Sequence, residues 1–247
     1  MSMNIQPEFL ELVNASLCAA KAAFGERLSA FYLHGSIAMG DAVPGISDLD
    51  AMLILSDGVS QEDLAVQREL QASLQAQFPV ADEVHLTLIC AGDLAQNAFA
   101  CFALKYNASL LYGSDVTAAF LCPAPDKAMA KSRLGFARQC FDEALRGEQP
   151  ACTGPLPEDT FYRARKFARY FVIIEGAYFL MAQNAFTSFR KEDVLPALFA
   201  AAPQFSQALT LTKSVLHDAQ NAMVDAQTFL SAISTLVNWL FDQIDKA

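Results

Sequence analysis

Positive charge is scarce in this chain: 17 Lys and Arg face 27 Asp and Glu, a net charge of −10 over 247 residues. Such a surface repels a phosphate backbone unless its bases are gathered in one patch, so no nucleic-acid partner is expected. Histidine is scarcer still, with three copies, His34, His85 and His217, which gives poor support to a histidine-based nucleophilic triad. The six cysteines (Cys18, Cys90, Cys101, Cys122, Cys140, Cys152) are widely spaced and form no CxxC pair. That excludes a zinc pattern and suggests no disulfide framework, so reduced thiols are expected. Long apolar runs are missing too. The most apolar stretch, Phe171 to Ala182, is interrupted by Glu175 and too short to cross a bilayer, so no membrane partner is expected. The start, MSMNIQPEFLELV, lacks a basic segment followed by an apolar one, so no signal peptide is expected and the chain reads as cytoplasmic.

What is present is hydrophobic material, 53% of residues against 18% charged, ample for packed cores. Pro7 to Leu28 repeats apolar residues with a helical period (Phe9, Leu10, Val13, Leu17, Ala20, Phe24). Three strands are expected at Ala30–Leu33, Asp50–Leu55 and Val84–Cys90, and a short extended piece at Ser109–Tyr112. A helix from Gln61 to Phe78 has Ser60 as its N-cap and acids in its first turn. Cys122-Pro123-Ala124-Pro125 stops regular structure and marks a boundary between residues 1–122 and 123–247. Beyond it only helical periods occur: Lys127–Arg146, Glu158–Asn184, Lys191–Ala201, Phe205–His217 and Asp225–Ile244, with a loop at Gly147–Pro157. The expected fold class is α+β: an N-terminal domain of sheet and helices, then an all-α helical bundle.

The chemistry is concentrated in Tyr32 to Leu55, YLHGSIAMGDAVPGISDLDAMLIL. Gly35-Ser36 falls where a strand gives way to a short helix; glycine allows close backbone approach, and free amides there suit phosphates. Asp48-Leu49-Asp50 opens the next strand. Residues two apart on a strand share a face, so the two carboxylates project together, roughly 6–7 Å apart at their roots. Such a pair can converge on a divalent ion that aligns a triphosphate. A hydroxyl acceptor also needs a base, and Glu83, at the start of the third strand, can present a third carboxylate; Asp82 faces the other way.

Gly-Ser, a spacer and Ser-Asp-x-Asp before apolar residues resemble the nucleotidyltransferase superfamily that includes DNA polymerase β. The whole chain is similar in length and layout to the aminoglycoside nucleotidyltransferases of the streptomycin/spectinomycin adenylyltransferase type. Asp82-Glu83-Val84, SLLYGSDVTAAFLCPAP (Ser109 to Pro125) and Lys166 to Asp193 extend the likeness. The resemblance implies a nucleotidyltransferase domain with a mixed sheet followed by a helical substrate-binding domain. It implies Mg2+ on Asp48 and Asp50, phosphates at Gly35 and Ser36, Glu83 as base, and ATP or another nucleoside triphosphate as co-substrate. The acceptor would be a small-molecule hydroxyl. Two departures stand out. The spacer between Ser36 and Asp48 has 11 residues, one more than the family pattern. The segment after Asp193, VLPALFAAAP, is apolar where the resistance enzymes carry acids for a cationic antibiotic.

Other polar residues have plainer readings. Asp41 reads as a cap, His34 and His85 as structural histidines, and Arg163, Arg165, Lys166 and Arg169 as a solvated face. Glu175, inside an apolar helix, calls for an arginine partner. Lys213 is a candidate for the nucleotide phosphates. Two further functions fit the motif: nucleotidylation of a protein partner, and a non-catalytic nucleotide-binding module. A fused helical RNase partner would need an Arg-x4–6-His motif, and the only histidine after Pro125, His217, lies 27 residues past Arg190.

Overall fold

The computed structural model describes residues 5–94, 96–120, 122–153 and 156–247. The chain divides into two compact units, Met1–Pro123 and Ala124–Ala247.

The first unit starts with α1 (Pro7–Phe24), entered through a proline in its first turn and ended by Gly25 at positive φ; Phe9, Leu12, Val13, Ala20 and Phe24 form its buried stripe. A 3-10 turn, Gly25–Arg27, then separates it from β1 (Leu28–His34), where one continuous helix to Leu28 was expected. There follow α2 (Gly35–Met39), β2 (Leu49–Leu55), α3 (Gln61–Gln77), β3 (Val84–Cys90), α4 (Ala91–Leu94), α5 (Ala98–Asn107) and β4 (Ala108–Gly113). Ser60 caps α3 as expected: its hydroxyl accepts from the Asp63 amide while Asp63 accepts from the Ser60 amide.

The sheet order is β3-β2-β1-β4, with β1 antiparallel to both β2 and β4 and β2 parallel to β3. Its two faces differ. Phe31, Leu33, Leu49, Ala51, Leu53, Val84 and Leu86 enter the main core with α1 residues. The opposite face carries Tyr32 and Ile54 into a small cluster with Leu94 of α4 and Leu104 of α5. Strand alternation therefore sends His34, Asp50 and His85 to the same side as that small cluster, toward the strand ends beyond it.

Cys101 and Cys122 are joined in a disulfide, with Cα atoms 5.5 Å apart and a sequence separation of 21. This corrects the expectation of reduced thiols throughout. The pairing exists because the chain after β4 folds back onto α5, a meeting that cysteine spacing does not encode. Cys18, Cys90, Cys140 and Cys152 remain thiols.

The second unit contains α6 (Lys127–Leu145), α7 (Thr160–Phe167), α8 (Glu175–Ala182), α9 (Lys191–Ala201), α10 (Ser206–His217), α11 (Ala219–Ala222) and α12 (Ala226–Lys246). One face of α12 (Phe229, Leu230, Ile233, Leu236, Val237, Leu240, Phe241, Ile244) is fully buried and packs on α6, α7 and α8. At about 1.5–3 kcal/mol for each large apolar side chain, this helix organises the unit. The expected single helix from Glu158 to Asn184 is instead α7, a π-helical segment at Ala168–Ile174, and α8. Ala168, Phe171, Val172 and Ile173 of this segment are buried, and three of them are consecutive, so its hydrophobic pattern fits more than one pitch. Glu175 finds the arginine it needs: Arg133 of α6 donates to Glu175 Oε1 from Nε at 3.2 Å and Nη2 at 3.1 Å, and stacks 5.1 Å over the Tyr178 ring. Burial pushes the Glu175 carboxyl upward against that guanidinium, and raises Tyr178 to about 12. Among the described residues no single helix is long and apolar enough to cross a membrane.

Candidate active site

Three adjacent strands bring His34, Asp50 and His85 side by side. In the β1–β2 ladder His34 lies opposite Asp50, and in the β2–β3 ladder Asp50 lies beside His85. One step earlier, Leu49 donates its amide to the Glu83 carbonyl at 2.8 Å and Asp82 donates to the Ser47 carbonyl at 3.1 Å. These two bonds flank Asp48 and hold it alongside the Asp82-Glu83 segment. Leu49 is fully buried, while Asp48, Asp50 and Glu83 are half-buried, so the carboxylates face away from the main core.

Gly35 closes the arrangement. It has φ +73°, a conformation that side chains resist, and a Cβ at this position would lie 2.3 Å from Asp50 Oδ2. The turn after β1 therefore rests directly against the Asp50 carboxylate. Ser36 follows in α2, whose last turn ends as Asp41 donates to the Ser36 carbonyl at 2.9 Å and Gly40 adopts φ +73°. Asp41 thus serves the end of α2 through its backbone.

The loop from Asp41 to Asp48 is tied down. Gln6 accepts from the Ala42 amide at 2.8 Å and donates to its carbonyl at 2.9 Å. Ser47 Oγ accepts from the Val43 amide at 2.9 Å, and Gly45 donates to the Val80 carbonyl at 2.7 Å. The long spacer is absorbed as a turn anchored at both ends. β3 is an edge strand, and α3 covers part of that edge: Gln71 accepts from the Leu86 amide at 3.0 Å, and Gln67 donates to the Leu86 carbonyl.

Two residues acquire a place that sequence reasoning did not give them. His85 Nε2 lies 2.9 Å from Glu83 Oε2. The alternation rule that pairs Asp48 with Asp50 applies equally to Glu83 and His85, and was the available signal. His34 sits beside Asp50; burial lowers its imidazole below the ordinary range, with Asp50 opposing and His85 assisting, so the neutral ring is favoured. Lys213 is exposed on α10 of the second unit and is not among the residues gathered in the first. Arg163 donates to the Pro157 carbonyl and Arg165 to the Leu216 carbonyl, so both brace the helical unit.

The donor set decides which ion could sit here. Among the described residues, no three His, Cys, Asp or Glu side chains converge closely enough to hold a metal by themselves. Two half-buried carboxylates, Asp48 and Asp50, remain. That fits magnesium, which takes one or two protein carboxylates and completes its shell with water and substrate phosphate oxygens. It does not fit an ion that needs a closed cage of nitrogen and sulfur ligands.

No protein-family model matches the chain, and no curated protein sequence matches it significantly. A solved structure does: spectinomycin adenyltransferase AAD(9) from Enterococcus faecialis, crystallised with ATP and spectinomycin. It aligns over 95% of this chain and 98% of its own with a TM-score of 0.55 and 10% sequence identity. A likeness at that identity concerns architecture: this chain shares that structure's α+β fold, a mixed sheet with flanking helices followed by a helical C-terminal region.

Proposed function

We propose that this protein is a magnesium-dependent nucleotidyltransferase, and specifically an adenylyltransferase that moves AMP from ATP to a hydroxyl of a small molecule. The observation that carries this reading is the packing of Gly35 against the Asp50 carboxylate, one strand away from Glu83. This packing supports a shared site for the Gly35 turn, the Asp50 carboxylate and Glu83.

In this reading the backbone amides at Gly35 and Ser36 receive phosphate oxygens, with glycine allowing the close approach. Asp48 and Asp50 would hold magnesium, which when bound supplies positive charge for the triphosphate and the departing pyrophosphate. Glu83 takes the proton of the acceptor hydroxyl. The acceptor oxygen bonds to the α-phosphorus, the α–β phosphoanhydride bond breaks, and pyrophosphate leaves. The assignment of Lys213 to the nucleotide rests on the sequence alone.

The fold neighbour's ATP and spectinomycin support ATP as the donor and an aminoglycoside-like acceptor. The chain's acidic balance suits a cationic or neutral acceptor. The apolar segment after Asp193 bears on this choice: Val194, Leu195 and Leu198 are buried in the helical unit, so these residues serve its packing. The test is pyrophosphate release with ATP, GTP, CTP and UTP, each with Mg2+, against spectinomycin, aminoglycosides, lincosamides and common metabolites. Acceptor-dependent release with ATP is expected. Silence across the whole panel, with labelled ATP also modifying no protein in a lysate, removes the reading.

A further inference from the structure

Glu83 is held firmly at its backbone and loosely at its side chain. Its carbonyl accepts from Leu49 at 2.8 Å, and the preceding residue is fixed on both sides. Asp82 donates its amide to Ser47 at 3.1 Å, and its carbonyl accepts from Gln75 Nε2 at 2.8 Å. The side chain is 43% exposed and has three rotatable bonds before its carboxylate, so the backbone clamp does not decide where the oxygens point. One contact does: His85 Nε2, 2.9 Å from Oε2. Both residues project from one face of the strand, and the His85 backbone is fixed in the parallel ladder beside Asp50.

We propose that His85 is a positioning residue for Glu83: its Nε2–H holds Oε2, leaving Oε1 as the oxygen that meets the acceptor hydroxyl. This rests on the reading of Glu83 as base. A carboxylate has two equivalent oxygens, and a base that swings through several rotamers spends little time aligned. Tying one oxygen to a ladder-fixed ring removes that freedom without using the second oxygen's lone pairs. His34 cannot do the same work, since it lies on β1, on the far side of Asp50 from β3.

Two measurements test it. In the first, the protein is labelled with 15N-histidine, and the His85 signals are assigned by their loss in His85→Gln. Glu83→Ala should move the His85 Nε2 resonance and leave His217 in place; an unmoved His85 resonance overturns the proposal. In the second, ATP turnover is followed with Mg2+ and spectinomycin as probe acceptor. His85→Ala should lower kcat about tenfold with little change in KM for ATP, as expected when a reacting group loses alignment. His85→Gln, which restores an N–H near the same place, should recover most of that loss. A His85→Ala enzyme with wild-type kcat, or a His85→Gln enzyme as slow as His85→Ala, overturns the proposal. Should the wild-type protein not turn over spectinomycin, the acceptor reading fails separately, and the resonance measurement decides on His85 alone.

Discussion

Replacing Gly35 by alanine separates two penalties that the structure allows to be told apart. The first is conformational: at φ +73° a side chain costs about 1–2 kcal/mol, or roughly 4–8 °C in melting temperature for a unit of this size. The second is local. The new Cβ would sit 2.3 Å from Asp50 Oδ2, so the carboxylate must retreat by about 1 Å to reach ordinary contact. A 1 Å misplacement of a catalytic group costs on the order of a hundredfold in rate. Gly45 supplies the control, for it has the same φ of +73° with nothing within 4 Å of the methyl that alanine would add. Gly45→Ala should therefore lose comparable stability and keep its chemistry. Gly35→Ala should lose that stability and, in addition, about a hundredfold in kcat with ATP, Mg2+ and an active acceptor, together with weakened Mg·ATP binding by calorimetry. If the two variants matched in turnover and in Mg·ATP affinity, the argument that the β1 turn and Asp50 form one site would collapse.

Four other outcomes follow from the same geometry. Asp48→Asn and Asp50→Asn should each abolish turnover while leaving the circular dichroism spectrum and melting temperature near wild type; full activity in either would remove the metal assignment. Arg133→Met, which strands the buried Glu175, should cost about 3–5 kcal/mol in urea unfolding, whereas the double variant Arg133→Met/Glu175→Gln should cost clearly less; additive losses would contradict the pairing. Gly176→Val should destabilise the helical unit by about 1–3 kcal/mol, because even a Cβ there comes within 2.7 Å of Leu198 Cδ1. The hydrogen bond from Arg27 holds the Asp63 carboxyl well below its ordinary range, so its contribution is complete above that range and is lost as pH falls below about 4. Melting temperature against pH should show this loss in the wild type and a shallower one in Arg27→Met; parallel curves would speak against it.

Much of the first unit could be read from its residues because local rules governed them. Alternation placed Leu49 in the core with Asp48 and Asp50 on the other side, and Ser60 capped its helix with the reciprocal Asp63 contact. What escaped depended on which chains lie next to each other. The meeting of His34 with Asp50 needs the antiparallel β1–β2 ladder, and that of Cys101 with Cys122 needs the return of the chain to α5. The π-helical segment was hidden for a different reason: Phe171, Val172 and Ile173, three apolar residues in a row, are all buried, so their run alone does not mark the pitch. The Glu83–His85 contact could have been read from i, i+2 spacing, but an exposed strand histidine has no fixed partner until the strand's edge and face are known.

The sheet order β3-β2-β1-β4 has a bearing on how the molecule is made. The strands that carry His34, Asp50 and His85 come from one unbroken run ending at Cys90, and β4 joins only at the outer side of β1. A ribosome that has released the first third or so of the polypeptide has already delivered every carboxylate of the acidic patch and the strands that align them. Assembly of that patch can then begin while the helical region is still being translated.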